Sequence, residues 1–328
     1  MPDRWPALDS AADRPVGEAL HAYLQLIGKL PTRGLPWTNH GWHAALRVVP
    51  RGFRTYPVPL SDGEGELLLD CLDGSIRLET SEGVVRAIDL RRRSVAQVHD
   101  ELAALLSEVG CPIEVSGAPN EVDPAVPFHE DHRERHWDAD TARRIHRAFA
   151  LANGQFEAFR SGFVGKTSPS HLFWGSFDLA ITRFSGKPAP LHPGGIPNLP
   201  DPVTREAYSH EVASAGFWLG GNGVAEAAFY AYGYPSPPGL AHRPIAPAAA
   251  SWDGALGEFI LPYAVVRAAS DPEGTLRAFL QSSYEAVAEE LGWDRAALEI
   301  PFGRPGRPYD IARLRGENAA ITSPETRG

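Results

Sequence analysis

Cysteine is nearly absent. Cys71 and Cys111 are the only two in 328 residues, too few for a disulfide framework at this size, and neither has a CxxC partner. Both read as core thiols. Long hydrophobic runs are missing as well: the most apolar segments carry Arg, Glu or Asp every few residues, which argues against a membrane span. Positive charge is scarce, with 31 Lys and Arg against 41 Asp and Glu. A net charge of −10 disfavours broad binding to nucleic acid or anionic membranes. The dense basic cluster Arg91-Arg92-Arg93 reads as a solvated patch. The opening stretch MPDRWPALDSAADRP is acidic and Pro-rich, unlike a secretory signal peptide. A cytoplasmic protein is expected, with a small molecule as its candidate partner and its oligomeric state left open.

Strong catalytic motifs are also lacking. Neither Gly28-Lys29 nor Gly165-Lys166 has the glycine-rich run and spacing of a phosphate-binding loop. No GxGxxG opens a βαβ unit, no GxSxG elbow occurs, and no HExxH stands on a helix. Each absence removes a common enzyme class.

What is present is patterning. Val16, Leu20, Tyr23, Leu24 and Ile27 recur at helical spacing and predict a helix over 16–28, ended by Gly28-Lys29. Strands are expected at 42–49, 66–72, 75–80 and 84–90, with Asp73-Gly74 as a hairpin turn. Ser94 and Gln97 form a capping box for a helix that stops at Gly110, and 112–116 suggests a short strand. The charged, His-rich stretch 118–138, with His129, Asp131, His132 and His136, reads as a solvated crossover. A second helix at 141–163 precedes Gly165-Lys166, a strand at 171–184, a Pro-rich excursion at 187–202, and strands at 212–219, 227–234 and 258–265. Gly220-Gly221-Asn222-Gly223 joins two of these strands, and a helix at 273–291 closes the series.

The order helix, Gly-Lys, strand, hairpin, strand, helix thus occurs twice, which suggests an internal duplication. The expected fold is α+β: two related halves, each a mostly antiparallel sheet covered on one face by helices. The halves would span 1–137 and 138–300, with a polar tail at 301–328.

The residues that suit chemistry gather near the strand entrances. His40 and His43 lie in NHGWH, and His171 opens the central strand HLFWGSFDLAITRFSG. In EAYSHE, Glu206 and His210 are four apart, so a helical turn would aim both at one point. Imidazoles with carboxylates suit zinc, iron or manganese, and His40, His43, His171 and His210 are the candidate ligands. His171, Glu206 and His210 would serve as acid–base groups near neutral pH, with Glu211 as an alternative carboxylate and Arg183 as substrate anchor. The site is placed in a cleft at the seam of the halves. The competing reading makes the histidines hydrogen-bonded core residues in a non-catalytic binder or assembly protein. Asp178 and Arg183 read as an ion pair fixing the strand register. The aromatics Phe217, Trp218, Phe229, Tyr230, Tyr232 and Tyr234 read as sheet-face packing, some of them free to wall a pocket.

NHGWH, HLFWGSFDLAITRFSG, EAYSHE, SAGFW (Ser214 to Trp218) and EFILPY (Glu258 to Tyr263), in this order, resemble the bacterial family known as domain of unknown function 5996. The resemblance runs from Trp5 to about Leu298. It departs at Gly41, where a second Trp is expected, leaving a looser loop beside His40. It implies no activity, cofactor or catalytic residue.

Overall fold

The computed structural model describes residues 4–115, 117–220 and 224–310. It is α+β, with two antiparallel six-stranded sheets, and the two halves are alike in plan. Helix α1 (Arg14–Gly34) precedes β1 (Arg47–Val49), β2 (Gly52–Arg54), β3 (Val58–Pro59), β4 (Glu64–Asp70), β5 (Ser75–Thr80) and β6 (Val85–Asp89); α2 (Val95–Glu108) then closes the first half. The second half runs α3 (Ala139–Arg160), β7 (His171–Phe173), β8 (Asp178–Pro188), α4 (Asp201–Ala207), β9 (His210–Trp218) and β10 (Ala228–Tyr234). After it come β11 (Ser251–Asp253), β12 (Glu258–Pro262), α5 (Tyr263–Ala268), α6 (Pro272–Glu290) and α7 (Arg295–Leu298). The first sheet is ordered β1-β2-β4-β5-β6 with β3 paired on β4, and the second β11-β12-β10-β9-β8-β7.

Local signals account for much of this. The Ser94 hydroxyl accepts from the Gln97 amide while the Gln97 side chain accepts from the Ser94 amide, so α2 starts at its capping box. Gly74, at φ 68°, turns β4 into β5. Cys71 is fully buried and Cys111 partly so.

Other expectations need correction. Helix α1 passes through Gly28-Lys29 and ends six residues later. Gly28 serves contact instead of termination, because a Cβ there would stand 2.4 Å from the Trp174 indole. In the second half Gly165-Lys166 lies beyond the end of α3 at Arg160, so the Gly-Lys pairs are not matching helix stops. The strand expected at 42–49 narrows to β1, and the one expected at 171–184 is two strands joined by the turn 174–177. No strand forms over 112–115, and residue 116 lies outside the described residues. So do 221–223 of the Gly-rich connection and 311–328 of the expected tail.

The halves share one core. Phe53 of β2 meets Phe149 of α3 and Phe177 edge-on, with ring centroids 5.5 and 6.3 Å apart. Leu46 and Leu172 exchange backbone hydrogen bonds at 2.8 Å, linking the entrance of β1 to β7. The second sheet is two-faced, as strand alternation requires. Leu179, Ile181, Ala213, Ala215, Phe217, Phe229 and Ala231 are buried in the core, and Phe149 and Phe156 of α3 pack on Phe217 and Phe229. The opposite face carries the site. Among the described residues no helix is long and apolar enough to cross a membrane.

Candidate functional site

On that opposite face Asp178, Ala180, Thr182 and Phe184 of β8 line up with Val212 and Ser214 of β9 and with Tyr230 and Tyr232 of β10. They floor a cavity of about 490 Å³, well within the size range of small-molecule sites. Its roof is the excursion between β8 and β9, chiefly Ile196, Leu199, Pro200 and Val203, Thr204 and Ala207 of α4. Trp37, His40 and Trp42 close one end, and Asn120, Glu121 and Trp174 another.

Asp178 is the buried charge of the floor, 6% exposed. It accepts hydrogen bonds from the Ser176 hydroxyl and the Tyr230 phenol. Burial nevertheless raises its pKa above the usual carboxylate range, outweighing those bonds. Glu121 comes from the crossover loop, at φ 58°. Burial, with repulsion from Asp178 added, pushes its carboxyl up to about 7. Glu258, whose backbone is two residues from Ile260 on β12, is pushed up to about 8 by burial and by Asp178. The Tyr208 and Tyr232 hydroxyls lie 2.8 Å apart. The Thr182 and Ser214 hydroxyls are 2.9 Å apart.

The sequence-predicted residues meet only in part. His40 lines the cavity, is 5% exposed and holds a left-handed φ of 63°, rare for a residue with a side chain. Glu206 fixes this conformation by accepting from the His40 amide at 2.6 Å. The His40 Nδ1 donates to the Ala207 carbonyl at 2.8 Å, which leaves Nε2 to accept from Lys166 Nζ at 2.6 Å. Burial first, then the Lys166 charge, lowers the His40 pKa and keeps it neutral, although the Ala207 bond opposes this. The His210 ring is 6.4 Å from that of His40 and bonds to Ser209 Oγ. Glu206 and His210 do not share a helical turn, since α4 ends at Ala207 and His210 opens β9.

The His43 ring lies tilted against Trp37, centroids 4.8 Å apart, and its Nδ1 accepts from the Thr38 amide; burial lowers its pKa. His171 is 1% exposed behind Trp42 and Phe173, its Nδ1 has no partner, and burial drives its pKa down to about 3. Among the described residues no three His, Cys, Asp or Glu side chains are grouped to hold a metal ion. Arg183 points to the helix side, with its guanidinium 3.5 Å from the centre of the Phe159 ring and 4.4 Å from that of Tyr284. It donates to the Phe159 carbonyl, and burial lowers its pKa to about 10. Five positions separate it from Asp178, so strand alternation puts the two on opposite faces and they form no pair. Glu211 has one buried carboxylate oxygen without a partner.

The residues that sequence reasoning undervalued are Asp178, Glu121, Tyr230 and Tyr232. A signal was available: alternate positions of β8 read Asp, Ala, Thr, a small and polar series facing away from Leu179 and Ile181. The model of a family of unknown function (DUF5996) matches residues 5–300. No curated protein and no solved structure matches the chain.

Proposed function

We propose, from the premise that the chain belongs to this family of unknown function and takes no activity from it, that the cavity binds a small organic molecule and exchanges a proton with it. The observation that carries this reading is the pair Asp178 and Glu121. One carboxyl is pinned on the floor by Ser176 and Tyr230, the other is presented from a loop, and both line one largely apolar cavity. Burial raises both pKa values, and the Asp178 charge adds to the rise at Glu121, so the pair holds a proton closer to neutral pH than a free carboxyl does. A Glu121 poised near 7 suits a general acid or base at neutral pH. His40, held by Glu206, Ala207 and Lys166, gives one end of the cavity a fixed shape.

The test is a thermal-shift screen of metabolite-sized compounds against the wild type and Ala180→Trp, which fills the floor. Hits that stabilise only the wild type support the site; hits that stabilise both equally remove it. Incubating the hits with wild type and Asp178→Asn, read by mass spectrometry, then tests the chemistry, and turnover must depend on Asp178. A second reading, a binder without turnover, is favoured by one fact: both Asp178 oxygens already accept a hydrogen bond. Saturable binding with no conversion of any hit would select it.

A further inference from the structure

We infer that the occupant of this cavity is an organic cation, an ammonium group on an apolar body, an inference that rests on the cavity being a ligand site. Among the described residues that line it there is no Lys and no Arg, and the charged side chains facing it are Asp178 and Glu121. An anion would find two carboxyls and no Lys or Arg among the lining side chains. A neutral ligand would offer neither carboxyl any compensation once it ionises.

The walls are rings: Trp42, Trp174, Phe184, Tyr208, Tyr230 and Tyr232. Ring faces carry negative potential and attract cations. Three of these rings already do so with the protein's own lysines. Lys166 Nζ lies 5.2 Å from the Trp42 centroid and 4.8 Å from that of Phe184, and Lys29 Nζ lies 5.3 Å from that of Trp174. Hydrogen-bond capacity points the same way. Tyr230 spends its proton on Asp178, while the Tyr208–Tyr232 and Thr182–Ser214 pairs each use one of their two hydroxyl protons, so lone pairs outnumber free protons. Thr204, 2% exposed on the roof, has a hydroxyl with no partner at all. Acceptor sites on these hydroxyls and the two carboxyls outnumber the free protons, which an ammonium group complements. Burial holds both carboxyls toward their neutral forms, and a bound cation would favour their charged forms.

The experiment is a tryptophan-fluorescence titration of the full chain at about pH 8, above the Glu121 pKa of about 7. The probes are benzyltrimethylammonium, its neutral isostere neopentylbenzene and the anion benzenesulfonate. The cation should bind saturably and at least about tenfold more tightly than the isostere. Asp178→Asn, and Glu121→Gln should the first variant fold poorly by circular dichroism, should erase that preference and leave isostere binding unchanged. If isostere and cation bind alike, the inference is overturned while the ligand site stands. It is overturned equally if none of the three probes binds. In that case the Ala180→Trp screen above decides separately whether the cavity is a ligand site.

Discussion

His171 and Glu121 are buried titratable groups that pull stability in opposite directions with pH. The folded-state pKa of His171 is depressed from 6.5 to about 3. Between those values the unfolded chain holds a proton that the folded chain refuses, so stability falls as pH drops through this window. The contribution is on the order of 5 kcal/mol for a ring this deeply buried. His171→Phe should therefore flatten the acid limb of a denaturation-midpoint profile between about pH 6 and 4; an unchanged limb would show that other groups carry it. Glu121 is the converse case. Its pKa is raised from 4.5 to about 7, so its stabilising proton is fully held below the unfolded value and lost as pH rises through the folded one. Glu121→Gln should reduce the loss of thermal stability between about pH 5 and 8, with Asp178 retaining a share of it.

Helix α1 offers a test at the level of elements. Gly28 sits inside it, and Ala is favoured over Gly in a helix by roughly 1 kcal/mol. Contact decides against that gain. The added Cβ would meet the Trp174 indole at 2.4 Å, and overpacking of this kind costs about 1–3 kcal/mol. Gly28→Ala should lower the urea midpoint and disturb the Trp174 wall, whereas a stabilised variant would refute the packing argument. Ser94→Ala should cost about 1 kcal/mol through loss of the α2 cap, read from the same unfolding curves.

These elements also show what a linear reading can and cannot reach. The α2 capping box, the apolar stripes of the helices and the Asp73-Gly74 hairpin are local, so neighbouring residues specify them. Gly28 misled because a glycine that admits an indole looks, in sequence, the same as one that ends a helix. EAYSHE misled because the chain changes from α4 to β9 within six residues. The cavity draws on the end of α1, four strands, the crossover loop and the roof, and no local pattern brings Glu121 to Asp178. Asp178 itself was legible, since odd spacing from Arg183 already rules out a shared face on a strand.

At the scale of the whole molecule, the continuous core through Phe53, Phe149 and Phe177 and the Leu46–Leu172 link make the halves interdependent. Residues 1–137 alone would expose Phe53, which is fully buried in the chain. Far- and near-ultraviolet circular dichroism should report one coincident unfolding transition for the full chain. The separate halves should be largely unfolded, and two resolved transitions would contradict this. The face of the second sheet that carries Asp178 stays out of the shared core, which is why a polar, titratable surface can persist there.

The roof between β8 and β9 joins two strands that are hydrogen-bonded neighbours, with Pro188 opposite His210 and the Ala189 amide donating to the Ser209 carbonyl. It is topologically the loop of a hairpin. Such a loop can be lengthened, trimmed or rewritten while both strands keep their register, so the shape of the cavity beneath it can diverge from one homologue to the next without renegotiating the scaffold that presents it.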